Sequence, residues 1–471
     1  MPRSVCVHPD HRQTVALALE RNRFLTQGDL AAHLEIALST VSNFCRGVKV
    51  SIAKFEEISE ALGLEPRSLM QSPDSPPVDS PTDDAALAPT FFAYDDGWVG
   101  REALVNDLVT QIQGSCRLLM ITGIAGVGKT ALAERLSLEL SEFGLPLREN
   151  FDTQDQSSDF GSFAARLLEK LGQVVTPSDR TDMPQLLTRL VQYLQTHRRL
   201  ILIDSLEELL RGNEQEGWSE FEDEAFGQFF QQILSTETFQ SRLILTSQEL
   251  PSQLLAFGSR YRNFWAAQLV TGLPPVEQLA LFEKTGLDIR AETDGYAYLT
   301  RIGQAYEGHP LALRIIAGEI GSRPFFGDVI AYWNRYSPEI EAVETAIAEA
   351  AAGQMLGAED KWRLDRFTRT LRRNVRLRLE QTFQRLRRDA KFAYILLCEA
   401  AVYRCAVPED WWLSHLEYWD CDEDMGQQAL DALKDRFLVE DAISDGTYTL
   451  RQHTLIRSVS LEHLDQLDEL P

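Results

Sequence analysis

Gly123-Ile-Ala-Gly126-Val-Gly128-Lys129-Thr130 has the spacing G-x-x-x-x-G-K-T, a stretch in which residue types and intervals together prescribe a chemistry. Glycines at 123, 126 and 128 let backbone N–H groups close around a phosphate. Lys129 adds an ammonium at the β- and γ-phosphates, and the Thr130 hydroxyl is placed to ligate Mg²⁺. Elements on both sides must hold this loop. Arg117 to Thr122 is a short apolar run that predicts a buried parallel strand, and Ala131 to Leu140 has helical spacing. Strand, loop and helix in this order are a phosphate cradle.

A cradle of this kind needs a second half that holds the metal. About seventy residues on, Arg198-Arg-Leu-Ile-Leu-Ile-Asp204 is a basic start followed by an apolar strand ending in aspartate, the form of a Walker B strand. Asp204 is expected to hold Mg²⁺ directly or through water, with Lys129 as its catalytic companion. Hydrolytic relatives of such sites often carry a second acid immediately afterwards, to orient the attacking water. Here that position is Ser205. Glu207 and Glu208 lie close by but on another face of the turn, so rapid hydrolysis does not follow.

The remaining sequence bounds the setting. A chain of 471 residues exceeds one core and suggests about three domains. No apolar run approaches the roughly 18 residues that would span a bilayer, and the first residues lack a secretory apolar stretch, so no membrane partner and a cytoplasmic location are expected. The six cysteines are scattered without metal-ligand or disulfide spacing. Net charge is −25, unevenly spread: residues 1–70 are neutral, residues 361–391 carry +9, and the rest carries −34. Such a surface disfavours non-specific binding of polyanions. Residues 71–94, rich in proline, serine and aspartate, read as a disordered linker.

Upstream of the linker, Thr26–Leu34 predicts one helix and Ser39–Gly47 a second, capped by Ser39 and stopped by glycine. This resembles a Cro/repressor-type helix-turn-helix, with Leu30, Ala31, Leu34, Ile36, Val41 and Phe44 as core and Phe55, Ile58 and Leu62 on a helix behind. Ser39, Thr40, Ser42, Asn43 and Arg46 then point outward, where such domains meet phosphates and base edges. The neutrality of the unit argues the other way, toward a helical adaptor or self-association module.

Further motifs follow in a fixed order. Val99-Gly100-Arg101-Glu102, the phosphate loop, the strand Ser241–Thr246, Glu307-Gly308-His309-Pro310 and Tyr448 to Arg457 with His453 resemble the NB-ARC proteins, the STAND signalling ATPases, over roughly residues 95–465. The resemblance implies that Val99 and Arg101 contact adenine and nucleotide, that Pro310 closes over adenine and sugar, and that His453 touches the β-phosphate of ADP. Pro310 is also simply a residue favoured at the first position of a helix. The family's arginine after the fourth strand is replaced, since Thr246-Ser247-Gln248 stands where Thr-Thr-Arg is usual. Gln452 and Thr454 replace the usual neighbours of His453.

The expected fold is α/β: a P-loop NTPase core with a parallel sheet at 95–270, a helical subdomain at 271–355, and a basic arm helix with a winged-helix domain at 356–471, preceded by a small all-α helix-turn-helix domain at 1–70. The arginines from Arg366 to Arg378 are expected on the solvated face of the arm, paired with the acidic helix Glu339–Glu349 or the acidic nucleotide domain. Arg436–Glu440 and Thr447–Arg451 predict a hairpin. The function that follows from the resemblance is a switch, closed by ADP and opened by ATP with Mg²⁺, signalling through the N-terminal helices as a nucleotide-dependent homo-oligomer. Enzymatic activity is expected to be a slow ATPase at most. Two other readings remain open: a DNA-binding transcription regulator with a structural nucleotide site, and a replication-initiator-like AAA+ ATPase. Family members continue into repeats after the winged helix. With Pro471 following instead, either a separate protein partner is expected to supply the sensor or the chain is a shortened relative.

Overall fold

The computed structural model describes residues 4–8, 11–22, 24, 27–47, 50–70, 98–151, 158–177, 179–213, 218–352, 366–444 and 447–467. The expected linker at 71–94 lies outside them. Contacts divide the chain into two compact units, one of Ala88–Gly272 with Ile347–Arg373, the other of Met1–Leu87, Leu273–Ala346 and Asn374–Pro471.

The first unit is an α/β domain around five parallel strands: β1 (Leu118–Thr122), β2 (Leu147–Asn150), β3 (Leu200–Asp204), β4 (Arg242–Ser247) and β5 (Trp265–Leu269), in spatial order β2-β3-β4-β1-β5. β1 and β3 are buried along their whole length, as continuous apolar runs in a parallel sheet must be. Leu118, Met120, Ile201, Ile203, Leu243 and Leu245 project into one core with helices Phe160–Lys170, Met183–Thr196 and Glu224–Ser235. β4 lies between β1 and β3. Its C-terminal end therefore stands beside both the phosphate loop and Asp204, a placement that no local pattern specifies.

The second unit is mainly helical. Near its N-terminus, α1 (Gln27–Leu34) and α2 (Leu38–Arg46) bury Leu30, Ala31, Ile36, Val41 and Phe44, with Phe55, Ile58 and Leu62 packed behind and Leu34 half-buried. Ser39 is not the cap of α2. Ala37, extended at φ −68° and ψ 144°, holds that place, so the cap falls two residues earlier and without a side-chain bond, and Gly47 ends the helix in the left-handed region.

Within the same unit, α3 (Pro310–Gly321) and α5 (Arg366–Asp389) contribute to a second core, and α4 (Val329–Ala352) joins them through ion pairs of Glu339. Leu311 and Ile315 of α3 meet Leu379, Phe383 and Leu386 of α5 and the buried residues of the C-terminal segment. Only the part of α5 from Asn374 onward belongs here; Arg373 and earlier residues cluster with the nucleotide unit. Glu440–Ser444 and Thr447–Arg451 pair antiparallel, with Val407–Pro408 on the other side of the second strand. The expected strand from Arg436 begins at Glu440 instead: α6 (Glu423–Asp435) ends there, Phe437 turns through φ 55°, and Leu438 and Val439 are drawn into the core.

The basic arm is a solvated face only in part: Arg373 and Arg376 are exposed, and the expected pairing with the acidic helix is made at Glu339, but Arg378 is not on the solvated side. Arg378 is fully buried, paired with Glu319 of α3 and, at 3.3 Å, with Glu339 of α4. Arg385 pairs with both carboxylates as well, and Arg376 with Glu462. Arg366 and Arg369 have side chains outside the described set.

Candidate functional site

In the nucleotide unit, the loop after β1 turns through three glycines at positive φ, Gly123 at 151°, Gly126 at 79° and Gly128 at 97°. At Gly123 a side chain has no room: an added Cβ would lie 2.7 Å from the carbonyl oxygen of Val270. The helix Lys129–Glu139 starts directly behind, so its first N–H groups border the loop. Lys129 is 9% exposed and donates from Nζ to the carbonyl oxygens of Gly123 and Ile124 at 2.9 and 3.2 Å. Burial pushes its pKa down, while Glu207 and Asp204 oppose the shift.

Asp204 ends β3 and is 7% exposed. Its Oδ1 accepts from Thr130 Oγ1 at 3.0 Å and from Thr246 Oγ1, and its Oδ2 accepts from Arg148 Nη2 at 2.7 Å. Burial alone would raise the carboxyl pKa, but Arg148 and the two hydroxyls outweigh it and hold the group below the ordinary aspartate range. An ionised carboxylate beside a hydroxyl is a hard-oxygen pair of the kind Mg²⁺ takes when phosphates and water complete its shell. Thr130 and Asp204 thus fit Mg²⁺, and the loop with Lys129 fits the phosphates of ATP or ADP.

Around this pair lie Arg148, to which no motif points, and residues whose contacts the motifs do not specify. Arg148 comes from β2 and also pairs with Glu134 of the helix behind the loop at 2.5 Å. Thr246 comes from the end of β4, and its Oγ1 also accepts from the Ser205 N–H at 3.2 Å, with Ser205 itself in the left-handed region at φ 61°. Glu207 faces the site rather than away from it. Its carboxylate accepts from the Gln248 N–H at 3.3 Å and from Gln248 Nε2 at 3.0 Å. Gln248 in turn accepts at Oε1 from Arg372 of α5. Sheet order brings β2 and β4 to Asp204, and no run of neighbouring letters could have signalled that.

The other candidate residues fall as follows. Arg101 precedes the helix Glu102–Gln113 at φ 63° and lays its guanidinium along the loop, donating to Val127 O at 2.9 Å and Thr271 O at 2.8 Å. Val99, two residues earlier, is half-buried. In the second unit, Pro310 opens α3 behind His309, whose Nδ1 accepts from the Ala312 N–H at 3.3 Å. Gly308 before them sits at φ 67°, and an added Cβ would lie 2.1 Å from Leu273 O. His453 caps α7 (Thr454–Leu464), its Nδ1 accepting from the Leu455 N–H at 3.1 Å.

The outward face expected of α2 is partly covered within its own unit, with Thr40, Asn43 and Arg46 half-buried. Ser42 is buried, and an added Cβ at Gly286 would lie 3.1 Å from its Cβ. Thr40 Oγ1 donates to Asp435 at 2.6 Å, and Arg323 pairs with Glu35 at the start of the turn. Asn43 accepts from Arg46 at 2.8 Å, while the side chain of Ser39 lies outside the described set. Tertiary packing against the Gly286 turn and α6, which no local pattern encodes, overrides the solvent exposure that the helix-turn-helix pattern implies.

Residues 112–254 match the family model of the AAA domain. Among proteins, the chain is 31% identical over 230 residues to an uncharacterised WD repeat-containing protein of Nostoc sp., a match over 46% of this chain and 17% of that protein. The chain therefore spans under a fifth of that relative's length. Among solved structures, a Signal Transduction ATPase with Numerous Domains (STAND) protein with a tetratricopeptide repeat sensor from Pyrococcus horikoshii aligns at 16% identity and TM-score 0.45. That alignment covers 80% of this chain and 43% of that one. Cdc6p of Pyrobaculum aerophilum aligns at 11% and 0.34, over 82% of this chain and 98% of that one. Over residues 112–254 the parallel sheet, the phosphate loop and the AAA match together give the chain an AAA-type P-loop domain. Among the described residues, no helix is long and apolar enough to cross a membrane.

Proposed function

We propose that the protein is a nucleotide-controlled switch of the STAND class, with ADP holding a closed state and exchange for ATP and Mg²⁺ opening it. The observation that carries this reading is the triad Lys129, Thr130 and Asp204, gathered at the ends of β1 and β3 with Glu207 and Gln248, rather than a second Walker acid and a sensor arginine, beside it. Such a site grips phosphates but is poorly equipped to activate water. Binding energy is then available to shift a conformational equilibrium rather than to drive rapid turnover. Slow hydrolysis resets the switch.

The helices α1 and α2 are its output, as a helix-turn-helix that binds DNA or nucleates a signalling complex. The burial of Ser42 and the Thr40–Asp435 bond support an output that is withheld in one state. Val99, Arg101, Pro310 and His453 are assigned to the nucleotide by the NB-ARC resemblance, with His453 sensing the β-phosphate. The WD repeats named for the Nostoc relative suit a class in which repeats receive the signal.

Denaturing purified protein and separating the released ligand by anion exchange tests the reading. Stoichiometric ADP is expected. Recovery of no nucleotide, together with no binding of added ADP or ATP, would refute it.

A further inference from the structure

Position 248, where related sites place an arginine, carries glutamine, yet an arginine reaches it from elsewhere in the same unit. Gln248 is fixed at two points by Glu207, through its N–H at 3.3 Å and its Nε2 at 3.0 Å, which leaves Oε1 turned to the Arg372 guanidinium. Arg372 lies 124 residues downstream, in the first turns of α5, and is half-buried. Both Glu207 and Arg372 are close enough to Lys129 to influence its protonation, in opposite directions, so this row of side chains borders the phosphate loop. Glutamine gives up the charge at the strand end, and the arm helix returns it.

Building on the phosphate-site reading, we propose that Arg372 is the residue that distinguishes a nucleoside triphosphate from a diphosphate. Gln248 and Glu207 hold its guanidinium ready at the edge of the loop. A guanidinium offers two parallel donors to a terminal phosphate, and a hydrogen bond to a neutral amide oxygen is readily exchanged for one to a charged oxygen. A diphosphate, without that terminal group, leaves Arg372 on Gln248. The element that reads the triphosphate is then α5 itself, so that nucleotide identity is transmitted to a helix rather than to a loop.

The test is calorimetric binding of ADP and of a non-hydrolysable ATP analogue to the full-length protein, with Arg372→Ala, Arg372→Lys and the double variant Arg372→Ala with Gln248→Arg. Arg372→Ala is expected to leave ADP affinity within about twofold and to weaken the ATP analogue by about tenfold or more. Arg372→Lys should recover part of that loss, and Gln248→Arg in the double variant most of it, which a merely structural arginine would not permit. Equal losses for both nucleotides, or no loss for either, overturn the assignment while leaving the phosphate site standing. A wild-type protein that binds neither nucleotide removes both.

Discussion

Two carboxylates in this chain sit between guanidinium groups and hydroxyls, and they differ in what else can reach them. Asp204 accepts from Thr130, Thr246 and Arg148, and the Arg148 side chain is 27% exposed. Glu319 accepts from Arg378, Arg385, Thr382 at 2.7 Å and the Tyr332 hydroxyl at 3.2 Å, with Arg378 wholly buried. The first cluster stands at strand ends beside a loop of backbone donors, where a metal or phosphate can replace a protein partner. The second lies among three helices that bury Arg378 completely and Glu319 to 6% exposure, away from the phosphate loop. Similar chemistry therefore serves ligand exchange in one place and fixes helix packing in the other, and the difference lies in access.

The largest effect is expected from breaking the closed cluster. Glu319→Ala leaves two guanidinium groups without their main counter-charge, one of them fully buried, and removing one partner of a buried pair costs about 3–5 kcal/mol. Urea unfolding should show that loss, and an effect below about 1 kcal/mol would mean that the cluster is not sealed. At the open cluster the same kind of truncation should act on ligand instead. Lys129→Ala is expected to weaken ADP binding by about 10- to 100-fold, the loss of one charge-assisted contact to phosphate, with little change in the unfolding midpoint. Calorimetry on the folded variant checks it.

Acid sharpens the contrast further. Burial pushes the Glu319 carboxyl up, but Arg378, Arg385 and Thr382 outweigh it and its folded pKa lies below the ordinary glutamate value. A depressed folded pKa means that the unfolded chain binds the proton more readily. The stabilisation is therefore complete above the unfolded pKa of about 4.3 and is lost as pH falls through the lower folded value. Asp204 has the same sign. Wild-type stability should fall steadily below about pH 4.5, and Glu319→Gln should flatten that fall. An unchanged slope in that variant would place the acid sensitivity elsewhere.

How much of this was legible beforehand follows the same division. The loop from Gly123 to Thr130 is written in consecutive residues, and Asp204 ends an apolar run, so both could be read as chemistry. The contacts of Arg148, Thr246, Glu207 and Arg372 with one another and with Asp204 could not, because the order β2-β3-β4-β1-β5 and a helix far downstream bring them together. Local pattern also misleads where tertiary packing decides. Arg378 belongs to a basic stripe that reads as solvated, and three helices bury it. Ser42 reads as an outward polar residue of a recognition helix, and the Gly286 turn covers it.

The covered face of α2 is a third kind of contact, packed by Leu38 and Ser42 against the Gly286 turn and joined to α6 by Thr40. Thr40 reaches Asp435 through one half-buried hydrogen bond of 2.6 Å. A single hydrogen bond to a carboxylate in such surroundings contributes about 1 kcal/mol, because both partners recover water when it breaks. Thr40→Val should thus leave the unfolding midpoint nearly unchanged. Its effect should appear in local opening, as amide hydrogens of Leu38–Arg46 exchange about fivefold faster while those of α3 keep their protection. Such a result would make α2 the element most easily released from its unit, as an output that must come and go requires. Equal acceleration throughout the second unit would instead show that α2 opens only when everything around it does.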